Sequence, residues 1–162
     1  MKLETQIGDL LRARGLKLAT AESCTGGLVA DRITDISGSS DYFRGGIVAY
    51  AYEAKVSLLG VSWNTLRVHG AVSRETVIEM ARGARTALGA DIAVSVSGIA
   101  GPGGGLPDKP VGTTWFGLST TEGDWARKFV WDGDRRKNKE TSAEAALQFV
   151  ADYLGGNRNL DC

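Results

Sequence analysis

The sequence predicts a single layered α/β domain built on a mixed sheet. Three observations carry that expectation. Short apolar runs of strand length alternate along the chain with segments whose apolar residues recur at helical spacing. Two of the runs, 111–120 and 125–132, flank the turn "TEGD" as a hairpin, which makes the sheet mixed rather than all parallel. At 162 residues the chain has the length of one domain, enough to bury most of its apolar surface.

The elements follow in order. Leu3, Ile7, Leu10 and Leu11 share a helical face, and Gly15 is a natural stop. "LKLAT" (16–20) reads as a strand, and Val29, Ile33 and Ile36 mark a helix after it. "GIVAY" (46–50) is the next strand and "EAKVSLLG" (53–60) a short helix ending at glycine. "RVHGAVS" reads as a loop, with His69 a polar linker residue. Ser73 then caps a helix whose buried face is Val77, Met80, Ala81, Ala84 and Leu88. "DIAVSVS" (91–97) is a strand, and after the hairpin a last helix buries Ala143, Ala146, Leu147, Val150 and Leu154. The domain is expected to span residues 1–156, with 157–162 a flexible tail.

Composition excludes several function classes. Lys+Arg and Asp+Glu are both 19, so the net charge is zero and the basic excess needed for nucleic acid is missing. No apolar run reaches the ~18 residues of a membrane span, and the first fifteen residues lack a signal peptide's apolar stretch. Cys24 and Cys162 make no disulfide framework, and one histidine offers no zinc ligand set. The expectation is a reduced cytoplasmic protein without metal or cofactor. Four tryptophans, Trp63 and Trp125 among them, include candidates for covering a subunit interface, and a homo-oligomer is expected.

Two stretches carry the chemistry. "SGIAGPGGGLPDKPVGT" (97–113) holds all three prolines in one long irregular segment, and such loops are often functional. "TAESCTGG" (20–27) follows a strand and precedes a helix, and it admits three readings. Its amides suit an anion or an oxyanion. Cys24 is a nucleophile only with a base, and His69 is the one histidine; a small buried cysteine is the plainer assignment. Ser23 needs a base too, and "YAYEAK" (50–55) supplies Tyr50 and Lys55 at the end of another strand. If the two strands are parallel neighbours, these groups meet at the carboxyl edge of the sheet. The ordinary alternative is a helix-capping Ser23 and a solvated Lys55.

The strings "TAESCTGG", "ITDISGSSDYFRGGIVAY", "EAK", "HGAVS", "SVSGIAGPGGG", "KPVGT" and "GDR" together resemble the CinA C-terminal domain family, the stand-alone nicotinamide-nucleotide amidases, over nearly the whole chain. The resemblance implies a three-layer α/β/α sandwich and hydrolysis of the carboxamide of nicotinamide mononucleotide, a small-molecule nucleotide, without a cofactor. It implies a nucleophilic Ser23 whose proton passes to Lys55 directly or through the Tyr50 hydroxyl, with Tyr52 the rival for that role, and oxyanion contacts near Thr25, Gly26 and Gly27. The 97–113 loop, through Gly101, Gly103 and Gly104, and Arg135 of "GDR" are then candidates for holding ribose and phosphate. Three positions depart from the family pattern: Tyr52 in place of a frequent asparagine, Leu106 in place of serine, and Asn138–Lys139 in place of a valine–arginine pair. The lysine keeps the charge but not the bidentate fork. The contrasting expectation is a non-catalytic nucleotide-binding module that keeps the loop as an anion cradle.

Overall fold

The computed structural model describes all of residues 1–162. The element order is α1 (Leu3–Arg14), β1 (Leu18–Glu22), α2 (Leu28–Thr34), β2 (Phe43–Val48), α3 (Tyr52–Leu59), α4 (Trp63–His69), α5 (Arg74–Ala87), β3 (Ile92–Gly98), β4 (Thr113–Thr120), β5 (Gly123–Val130) and α6 (Arg135–Leu154). The five strands form one sheet in the order β2-β1-β3-β4-β5. β1 runs parallel to both β2 and β3, whereas β3–β4 and β4–β5 are antiparallel, so the sheet is mixed as expected.

Strand alternation sorts the side chains into two cores. Leu18 of β1 and Ile92, Val94 and Val96 of β3 face α1, α2 and α6. Ala19, Ala21 and Ala93 face the layer of α3, α4 and α5. The second face is built of small residues because α5 packs close: a Cβ added at Gly117 would run into the Val77 carbonyl. The result is a three-layer α/β/α sandwich.

The topology also locates the natural crevice. The chain leaves β1 for β2 through α2 on one face, then returns to β3 through α3, α4 and α5 on the other. The direction reverses between β1 and β3, and open α/β sheets bind ligands at the carboxyl ends beside such a switch point.

Three expectations need correction. The stretch read as a loop before Ser73 contains α4, capped by the Ser62 hydroxyl, which accepts from the amides of Asn64 and Thr65. Only Leu66 of that helix is buried, so it carries no apolar stripe. β2 begins at Phe43, three residues before the apolar run that announced it, because an edge strand is only half covered. Residues 157–162 are not a free tail. Leu160 is buried in the larger core, Asp161 accepts from the Ala126 amide at 2.8 Å, and Arg158 pairs with Glu122 at 2.9 Å. Trp125 packs on Tyr153 inside the chain, whereas Trp63 is exposed.

Candidate active site

The last residue of β1 and the one after it face opposite ways. Alternation sends Glu22 toward α2 and Ser23 toward the layer that carries α3. The Ala49 amide donates to the Glu22 carbonyl at 2.9 Å and extends the β1–β2 ladder, bringing the residues after β2 beside Ser23. α3 begins three residues later, so its first turn delivers Lys55 to the same point.

Lys55 is 1% exposed, and no carboxylate lies within ion-pair reach of it. Its Nζ stands 2.9 Å from Ser23 Oγ, 2.9 Å from the Ala49 carbonyl and 3.0 Å from the Tyr50 carbonyl. Burial without a counter-charge disfavours the ammonium form, lowering the pKa from 10.5 to about 8. Cys24 is shifted the other way: burial pushes its thiol up to about 11, which makes a thiolate at neutral pH unfavourable.

Tyr50 enters the site differently from the expectation. Its carbonyl touches Lys55, but the residue is 61% exposed and its hydroxyl accepts from Arg135 Nη2 at 3.2 Å. Arg135, the first residue of α6, also donates to the Gly101 carbonyl at 2.8 Å. Its guanidinium therefore ties the loop after β2 to the loop after β3 and has no carboxylate partner.

The glycine-rich turn is not an open anion cradle. Gly26 and Gly27 take positive φ values of 63° and 111°, which turn the chain into α2. The amides of that helix already have an anion: Glu22, 1% exposed, accepts from Val29 N at 2.9 Å, Ala30 N at 3.0 Å and Thr25 Oγ1 at 2.6 Å. Glu22 was not among the expected site residues, since one acidic residue beside a serine carries no periodic signal. A charge closing an otherwise apolar buried strand, just before a helix, is the signal that marks it. Of the amides expected to hold an oxyanion, that of Gly26 donates to the Ser23 carbonyl at 3.1 Å, while those of Thr25 and Gly27 make no hydrogen bond within the chain.

Ser23, Cys24, Tyr50, Tyr52, Lys55, Gly104, Leu106, Lys109 and Arg135 all line one cavity of about 310 Å³. The lining has three basic residues and no acidic one, in a chain of zero net charge. Gly103 lies outside it, with open space where a Cβ would be. Gly101 owes its place to packing, because a Cβ there would lie 2.5 Å from Val111 Cγ1. Asn138 is a strut: its amide nitrogen donates to the Ala100 carbonyl and its oxygen accepts from Gly133 N, both at 3.0 Å. Lys139 reaches the glycine turn, its Nζ standing 4.0 Å from a Cβ built on Gly26.

Fold and site together define a class: a single α/β domain with a buried serine–lysine contact at the switch point of its sheet. The chain belongs to the CinA C-terminal domain family, whose model matches residues 1–154. It is 52% identical to the nicotinamide-nucleotide amidohydrolase PncC of Escherichia coli (strain K12), over 91% of this chain and 90% of that protein. It is 51% identical to the CinA-like protein of Chloroherpeton thalassium over 97% of this chain, which spans only 38% of that longer relative. Among solved structures, the competence/damage inducible protein CihA of Agrobacterium tumefaciens matches with a TM-score of 0.91 and 39% identity, covering 94% of this chain and 93% of that one. The competence damage-inducible protein A of Klebsiella pneumoniae matches with a TM-score of 0.91 and 37% identity, covering 94% and 95%.

Proposed function

We propose that this chain is a hydrolase that cleaves the carboxamide of nicotinamide mononucleotide to nicotinate mononucleotide and ammonia. The observation that carries the reading is the 2.9 Å contact between Ser23 Oγ and a buried, unpaired Lys55 Nζ. The substrate comes from the amidohydrolase named above, whose length this chain nearly matches.

The surroundings of Lys55 suit a base. A neutral amine has two N–H donors and one lone pair. The Ala49 and Tyr50 carbonyls take the two donors, and the lone pair is left for the Ser23 hydroxyl. Ser23 gives its proton to Lys55 directly and attacks the carboxamide carbon. The tetrahedral oxyanion is assigned to the amides of Thr25 and Gly27, which are free within the chain and adjoin the cavity only through Ser23 and Cys24. A contact of this kind is worth about 2.7–4 kcal/mol. The C–N bond then breaks with the electron pair on nitrogen, which takes the proton held by Lys55 and leaves as ammonia. Water, deprotonated by the same amine, hydrolyses the acyl ester. Tyr50 contributes its carbonyl to this scheme, and its hydroxyl positions Arg135. The unpaired charges of Arg135 and Lys109 at the cavity supply the attraction for a phosphate.

The non-catalytic cradle finds little support, since Glu22 already fills the helix terminus that would serve it. Replacing the base tests the proposal: Lys55→Arg keeps a cation that stays protonated. It should lose about 10²–10⁴-fold in ammonia release, and wild-type turnover in that variant would remove Lys55 as the base.

A further inference from the structure

Ser97 stands next to the proposed nucleophile. The β1–β3 ladder pairs Glu22 with Val96, and the Ser23 amide donates to the Val96 carbonyl at 3.0 Å. The register therefore continues one residue further and makes Ser97 the partner of Ser23. Neighbouring strands lie about 4.8 Å apart, and partners in register point to the same face. That face is the one with Lys55. Ser95, two residues before Ser97 on β3, donates its hydroxyl to the Val77 carbonyl of α5, so Ser97 points into the same layer.

Ser97 is 1% exposed and lines the cavity of Ser23 and Lys55. Its hydroxyl makes no hydrogen bond within the chain, unlike that of Ser95. The only hydroxyls sealed off without a partner are those of Thr20 and Tyr42, so the Ser97 hydroxyl is left open to the cavity. Buried hydroxyls are normally satisfied, and one left open to a cavity is a contact for whatever enters it.

We propose that Ser97 Oγ accepts a hydrogen bond from an N–H of the scissile carboxamide and so holds the amide plane across Ser23 Oγ. The inference rests on the amidase reading and deepens it. A planar carboxamide presents an acceptor at one end and two donors at the other. With its oxygen toward the amides of Thr25 and Gly27, its nitrogen needs an acceptor on the far side of Ser23. Ser97 is the hydroxyl that the β3 register puts there. An ester of the same acid has no N–H, so Ser97 should matter for the amide alone.

The test compares wild type and Ser97→Ala on nicotinamide mononucleotide and on the methyl ester of nicotinate mononucleotide. The variant removes a hydroxyl with no partner in the fold, so its melting temperature should match wild type. The expected result is a 10–100-fold loss of kcat/KM on the amide, the size of one positioned hydrogen bond, with the ester within about threefold. Equal losses on both substrates, or no loss on the amide, would overturn the role of Ser97. A wild type that hydrolyses neither would overturn the amidase reading itself, and this inference with it.

Discussion

In the proposed mechanism Lys55 is the residue on which the chemistry turns, and its titration links activity to stability. Only the neutral amine accepts the Ser23 proton, so kcat/KM should fall about tenfold per unit as pH drops below about 8. A flat profile between pH 6 and 8 would contradict Lys55 as the base. The same shift acts on folding. The folded pKa lies below the unfolded value, so between about 8 and 10.5 the unfolded chain binds more protons and stability rises with pH. A Lys55→Met variant lacks that contribution. Urea denaturation at pH 7.5 and 10 should therefore show wild type gaining relative to Lys55→Met. A constant gap would mean that the amine is not held neutral by burial.

At the scale of elements, the site depends on how α2 and α3 are seated. Glu22 holds the start of α2 with three hydrogen bonds and no cation. Glu22→Ala removes them and leaves buried donors unpaired, so a loss of about 1–3 kcal/mol or more is expected by urea denaturation. Activity should fall too, because Ser23 is the next residue. Gly83 of α5 lets α3 approach: a Cβ there would collide with the Leu59 carbonyl at the end of α3. Gly83→Ala should cost about 1–3 kcal/mol and lower kcat by displacing Lys55. Much of this scale was legible in the sequence. The meeting of Ser23 with Lys55 was legible only on the condition that the two strands are parallel neighbours, against the ordinary alternative of a capping Ser23 and a solvated Lys55. Parallel β1–β2 pairing with the 2.9 Å contact meets that condition. The clamp by Glu22 was not legible, because two of its three partners are backbone amides seven and eight residues away. Nor was α4, since "WNTLRVH" buries a single residue. Tyr50 was assigned by its hydroxyl, but it meets Lys55 through its carbonyl, and sequence does not distinguish the two.

For the whole molecule, zero net charge hides a local imbalance. Lys55, Lys109 and Arg135 line the cavity without an acidic partner among its walls. KM for the anionic mononucleotide should therefore rise with salt, as screening weakens the attraction. Arg135→Ala should raise it about tenfold, while the uncharged-tail analogue nicotinamide riboside should respond to neither. Loss of both effects would take the phosphate away from Arg135. The chain's end also matters at this scale. Leu160 sits in the larger core, and its truncation to alanine should cost about 2–5 kcal/mol, measured as a lower urea midpoint. A polar, glycine-preceded end gave no warning of this, because a single leucine carries no period.

The most direct measurement is ammonia release from nicotinamide mononucleotide at neutral pH by wild type, Ser23→Ala and Cys24→Ala. Turnover in wild type and Cys24→Ala, with none in Ser23→Ala, is the result expected of a serine amidase with a packed, protonated cysteine. Turnover that survives in Ser23→Ala, or is lost in Cys24→Ala, would contradict it.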